Sequence, residues 1–220
     1  MTVITVAGMI GSGKTSLTDL IANEFNYTPV YEDVEGNDTL ELFYVASDEE
    51  KQVKRLPFLL QLDFLNSRFT NMKSALTDGE HAVMDRSVYE DEHFARVLTN
   101  RGEISEPEFK IYQKLLHNMM EELEELPKKA PDLLVYIRIP FELTLERIGL
   151  RGRDFEQDEG LIEYYHDLWK SYDNWVDNHY TASHVVVIDA EKYDFVNSEQ
   201  DRAKVLSIIE DAYLELGIDY

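Results

Sequence analysis

A parallel α/β sheet of about five strands, covered by helices on both faces, is the fold class that this sequence predicts. Three observations carry it. Short β-branched runs alternate with helical patterns along the chain, a glycine-rich loop joins the first strand to the first helix, and no repeat, low-complexity tract or linker interrupts the alternation. At 220 residues, one domain over 1–220 is expected.

The elements follow in order. Residues 2–7 (TVITVA) are a β-branched run ending on Gly8, and residues 14–25 carry Leu17, Leu20, Ile21 and Phe25 at helical spacing. A second short run at 28–31 leads into an acidic stretch, a short helix is expected over 39–46, and the charged residues 47–55 are expected to be exposed. Pro57 opens a long amphipathic helix to about Leu76, which Asp78 and Gly79 end. Residues 81–85 (HAVMD) read as a minimal buried strand, with Ser87 as the cap of the next helix and Arg101-Gly102 as its end. Ser105 and Glu108 form a capping box ahead of a helix over 109–126, whose EELEEL end reads as a solvated face. A strand over 132–139, a helix over 141–150, a helix from about 160 to 179, a strand over 184–189 and a closing helix over 199–216 complete the chain. The Tyr and Trp residues of the 160–179 helix read as packing.

Composition removes several function classes. The 44 Asp and Glu against 21 Lys and Arg give a net charge of −23, which opposes binding of a nucleic-acid polymer. The chain contains no Cys, so disulfides, thiolate zinc sites and cysteine nucleophiles are absent, and its six His never fall at H-E-x-x-H spacing. No apolar run approaches the roughly 20 residues needed to span a bilayer, and no basic leader precedes the first strand pattern, so a cytoplasmic protein without a membrane partner is expected.

Residues 8–15, Gly8, Met9, Ile10, Gly11, Ser12, Gly13, Lys14 and Thr15, satisfy G-x-x-x-x-G-K-S/T with a strand before and a helix after. Such a loop wraps a polyphosphate so that its backbone N–H groups reach the oxygens, Lys14 neutralises charge on them, and the Thr15 hydroxyl ligates magnesium. A guanine-reading N/T-K-x-D is missing, although residues 33–36 fit the weak D-x-x-G pattern, so a small kinase or a nucleotide-binding switch remains. Asp85 ends a strand, where parallel sheets place ligand groups, and it can hold magnesium through water; Arg86 beside it can reach a reacting hydroxyl or phosphate. Arg147, Arg151 and Arg153 form a basic island in an acidic chain, and a phosphate clamp that closes over ATP gives these guanidiniums their shared anion. The resulting expectation is a P-loop kinase fold with a short arginine-rich lid over about 147–160.

The motifs and their order resemble the deoxynucleoside kinase family, particularly the bacterial deoxyadenosine and deoxyguanosine kinases related to deoxycytidine kinase. They are G-M-I-G-S-G-K-T, Y-E-D-V at 31–34, L-E-L-F-Y ending at Tyr44, Gln61 and Arg68 in one helix, D-R-S-V-Y-E-D at 85–91 and R-I-G-L-R-G-R-D-F-E at 147–156. The resemblance implies that Glu32 is the general base for the sugar 5′-hydroxyl and that Tyr44 and Glu156 hold the 3′-hydroxyl. It further implies that Gln61 reads the base edge, that Arg68 and Asp91 complete the pocket, and that Arg86 steadies the 5′-oxygen. ATP and Mg²⁺ are the implied donor and cofactor, and a dimer with itself or with a paralogue is the implied assembly. The function expected is phosphorylation of a deoxyribonucleoside for nucleotide salvage, deoxyadenosine first, then deoxyguanosine or deoxycytidine. Its rivals are a monophosphate kinase of the thymidylate kinase type and a non-catalytic subunit of a heterodimer.

Overall fold

The computed structural model describes residues 1–32, 37–126, 128–153 and 156–217. The D-x-x-G pattern at 33–36 and the lid residues Asp154 and Phe155 lie outside them.

Five parallel strands form one sheet: β1 (Val3–Gly8), β2 (Thr28–Val30), β3 (Ala82–Asp85), β4 (Leu133–Arg138) and β5 (His184–Asp189), in the order β2-β3-β1-β4-β5. All six residues of β1 are buried, as a central strand covered on both faces requires. Its register sets Val6 beside Asp85 and Gly8 beside Ile137, so β1, β3 and β4 end together. The crevice outside those carboxyl ends is where such a sheet places ligands.

Nine helices are described: α1 (Lys14–Phe25), α2 (Asp38–Val45), α3 (Asp48–Val53), α4 (Leu56–Thr77), α5 (Asp91–Asn100), α6 (Glu106–Glu124), α7 (Phe141–Arg151), α8 (Ile162–Asn178) and α9 (Glu199–Leu216). Most boundaries have a local cause. The Asn37 side chain accepts from the Leu40 amide at 2.7 Å and starts α2, and Ser105 with Glu108 closes the expected capping box of α6. A second box, Ser47 with Glu50, turns the exposed 47–55 segment into α3. Helices α1 and α9 pack together, while α5 packs against α4, α6 and α8. The core gathers aromatic side chains, including stacked Tyr136 and Tyr172 with centroids 5.6 Å apart.

Two local expectations are corrected. Ser87 makes no cap bond; Arg86, in the left-handed region at φ 71, bends the chain into a tight turn over Val88–Glu90, and α5 starts only at Asp91. That turn carries Glu90 into the interior. In the EELEEL segment the four glutamates are exposed as expected, whereas Leu123 is fully buried, one apolar residue completing the inner face of α6.

Candidate active site

The loop between β1 and α1 leaves the sheet at its carboxyl edge, and Gly13, in the left-handed region at φ 98, starts α1 without a side-chain cap. The first amides of α1 therefore lack helical partners and form a cradle for an anion. A Cβ on Gly13 would meet the Phe195 ring at 3.2 Å, so Gly is needed there for both its torsion and its space. Lys14 donates to the Met9 carbonyl at 2.9 Å. Burial, then the nearby Arg86 guanidinium, lowers its pKa, and Asp85, Glu90 and Glu32 restore part of it, leaving it at about 7. Ile10, Gly11, Gly13, Lys14 and Thr15 line the cavity described below; Met9 and Ser12 turn their side chains into the protein.

Thr15 and Asp85 meet beneath the loop. The hydroxyl donates to Asp85 Oδ2 at 2.5 Å, while Asp85 Oδ1 is buried without a hydrogen-bond partner. A hydroxyl beside an orphaned carboxylate oxygen, opening on a phosphate cradle, suits a hard cation with oxygen ligands such as magnesium. No group of three or more acidic, His or Cys side chains that could cage a metal occurs among the described residues, so such an ion would draw its other ligands from phosphates and water.

Glu32 stands just past β2 between two guanidiniums. Arg68 donates to one of its oxygens, and Nε of Arg86 lies 3.5 Å from the other. Burial raises the Glu32 pKa, but Arg68 and Arg86 outweigh it and hold the carboxyl at about 2. Arg68 also bonds Asp91, and Arg86 bonds Glu90 at 3.1 Å while its guanidinium covers the Phe94 ring at 4.6 Å.

The arginine island is drawn toward the same place. Arg147 donates to the Ser12 carbonyl at 2.8 Å, tying α7 to the phosphate loop. Gly152, at φ 67, ends α7 and turns the chain so that Arg151 and Arg153 both reach the Glu156 carboxylate, Arg153 at 3.4 Å. Tyr165 donates to the Glu156 carbonyl at 3.2 Å and hydrogen-bonds Tyr44, whose own hydroxyl is pushed well up by burial, by Tyr165 and by Glu156.

These groups surround one cavity of about 500 Å³, a size common for small-molecule sites. Tyr44, Gln61, Arg68 and Glu156 line it together with Glu32, Asp85, Arg86, Arg147, Arg151, Arg153 and residues of the phosphate loop. Asp91 is the exception among the expected pocket residues: it is fully buried behind Arg68 and does not line the cavity. Its position one residue past the Glu90 turn, at the buried start of α5, explains this.

Four residues escaped the sequence reading. Glu90 sits fully buried against Gly8, Arg86 and Tyr172; its spacing four residues after Arg86 was the available signal. Tyr164 lines the cavity, Tyr165 braces Glu156, and Tyr172 reaches the phosphate loop, so part of the aromatic stripe of α8 serves the site as well as the core. No sequence spacing announces contacts between segments 82 residues apart.

Comparison with known proteins fits this geometry. The deoxynucleoside kinase family model matches residues 4–214. The chain belongs to the deoxynucleoside kinase family. The deoxyguanosine kinase of Lactobacillus johnsonii is 44% identical to this kinase over 220 residues, 99% of this chain and 95% of that protein. The deoxyadenosine kinase of Lactobacillus acidophilus is 39% identical over 218 residues, 98% of each chain. Among solved structures, deoxyadenosine kinase from M. mycoides with products dCMP and a flexible dCDP bound matches at a TM-score of 0.78 and 25% identity, covering 96% of this chain and 100% of that one. The kinase thus has the P-loop α/β fold expected of it, and ATP binding follows from its family. No helix among its described residues is long and apolar enough to cross a membrane.

Proposed function

We propose that this kinase transfers the γ-phosphoryl group of ATP, with Mg²⁺, to the 5′-hydroxyl of a purine deoxyribonucleoside, giving the 5′-monophosphate for nucleotide salvage. The observation that carries the reading is Glu32, an ionised carboxylate that lines the same cavity as Lys14, Thr15 and Gln61 and is held between Arg68 and Arg86. In the reaction the 5′-oxygen forms a bond to the γ-phosphorus, the bond to the ADP oxygen breaks in line, and the hydroxyl proton passes to Glu32. Arg86 steadies the 5′-oxygen, Lys14 and the lid arginines offset the charge of the transferring group, and Tyr44 with Glu156 holds the 3′-hydroxyl. Thr15 directly and Asp85 through water would hold magnesium, which supplies charge neutralisation at the phosphates.

A monophosphate acceptor is disfavoured, since a carboxylate at Glu32 would repel the acceptor's own phosphate. Gln61 as acceptor for an exocyclic amine and Arg68 as donor to a ring acceptor suit a base that carries both, with Asp91 holding Arg68 from behind, and Arg68 can face guanine O6 and N7. Placing deoxyadenosine first rests on the resemblance to the bacterial enzymes and not on these residues. The identity to both a deoxyguanosine kinase and a deoxyadenosine kinase supports acceptance of both purines. Leu59 on α4 and Ile111 and Leu115 on α6 are exposed, and a second chain that covers them, itself or a paralogue, would be detected by sedimentation equilibrium. The test of activity is a panel of four deoxynucleosides with ATP and Mg²⁺, using the single purified chain. Purine 5′-monophosphates are expected, and an inactive chain that turns over only with a paralogue added would favour the non-catalytic reading.

A further inference from the structure

Glu90 is a buried carboxylate that the reaction described above does not use. Its side chain is wholly shielded from solvent and does not line the cavity. One oxygen, Oε1, accepts from donors in three parts of the fold: the Gly8 amide at 3.3 Å, Nη1 of Arg86 at 3.1 Å, and the Tyr172 hydroxyl of α8. The same hydroxyl lies 3.1 Å from the Gly8 carbonyl, so Gly8, Tyr172 and Glu90 close a ring at the start of the phosphate loop.

An acid in so dry a place is costly unless its charge is matched, and an apolar side chain would fill the same space without that cost. The match here is Arg86. Its backbone is held in the left-handed region, its guanidinium lies on the Phe94 ring, and Glu32 faces its Nε. Glu90 supplies the second anion on a different nitrogen, so two acids and a ring fix the plane of the guanidinium. That plane determines where Arg86 can meet the acceptor oxygen, and the Gly8 bond ties it to the loop expected to hold the donor.

We propose that Glu90 is a positioning residue for phosphoryl transfer, holding Arg86 and the first glycine of the phosphate loop in one frame so that donor and acceptor meet at a set distance. The inference rests on the kinase reading above. Glu90 acts through Arg86 and Gly8 and touches neither substrate.

The test is a kinetic cycle on the full chain with ATP, Mg²⁺ and the best deoxynucleoside of the panel. Glu90→Gln keeps the shape and removes the charge. It is expected to lower kcat about 10²-fold, the scale of a small misplacement of reacting groups. The nucleoside KM should stay within about threefold, the pattern of an interaction expressed in the transition state. In an Arg86→Lys background the same substitution should cost less than about threefold, because the group it positions is already gone. Tyr172→Phe removes one donor, keeps the carboxylate, and should lower kcat by roughly threefold to tenfold. If the Glu90→Gln melt shows an unfolded chain, the cycle is run with Tyr172→Phe instead. Unchanged kcat, a rise in KM alone, or the same loss with and without Arg86 would overturn the proposal. An inactive wild type would instead remove the kinase reading, so the two failures are distinguishable.

Discussion

Arg68, which lines the cavity and is proposed to meet the base, is hydrogen-bonded to Glu32, the carboxylate proposed to receive the hydroxyl proton. On the proposed roles, the link couples recognition to chemistry through one side chain. With Asp91 on its other nitrogen, Arg68 is held between two acids and is only about 5% exposed. Base contacts that draw on Arg68 therefore also change the charge felt by Glu32.

Replacing the buried pair by apolar residues, Arg68→Met with Asp91→Ala, should raise thymidine kcat/KM relative to that of the preferred purine. Thymine presents an acceptor and a methyl group where the purines present other edges, and an unsatisfied buried polar group costs about 1 to 3 kcal/mol. Turnover should fall for all nucleosides, because Glu32 loses a partner, so the ratio is the decisive quantity. Parallel assays on thymidine and deoxyadenosine read it, and an unchanged ratio would remove Arg68, with the Asp91 that holds it, from control of the base.

The lid arginines should act on transfer. Arg151→Ala is expected to lower kcat by something like the 10³-fold associated with arginines supplied to phosphoryl transfer. Steady-state assays separate this from recognition; a rise in nucleoside KM alone would assign Arg151 to the Glu156 side of the cavity, where its carboxylate partner lies.

Lys14 predicts a pH effect. With a pKa of about 7 in the folded protein against an ordinary value of 10.5, the unfolded chain binds more protons between those pH values. The destabilisation from burying the ammonium is thus full below pH 7 and lifts as pH rises. A bound triphosphate reverses the preference and draws the proton back, so ATP binding at pH 8 should take up a proton and weaken as pH increases. Calorimetry in two buffers of different ionisation enthalpy measures this, and proton release would contradict it.

The sheet and the phosphate loop were legible because their signals are local: β-branched runs, glycines at fixed spacing and a lysine opening a helix. Arg86 and the arginines at 147, 151 and 153 were legible from a strand end and a basic island, Glu32 and Arg68 through motif order, and the fold brings all of them to one cavity. Glu90 and the α8 tyrosines were not, because their significance arises from packing between distant segments. Asp91 was expected to complete the pocket with Arg68 but lies buried behind the arginine, because its place depends on where α5 begins and the left-handed Arg86 sets that point.

Single-turnover phosphorylation by Glu32→Gln, alongside calorimetric ATP binding, tests whether Glu32 takes the proton of the acceptor hydroxyl. The amide preserves shape, so ATP affinity should remain near that of wild type while the rate of 5′-monophosphate formation drops by about 10² to 10⁴. A variant that binds ATP normally and forms the monophosphate at close to the wild-type rate would contradict the claim.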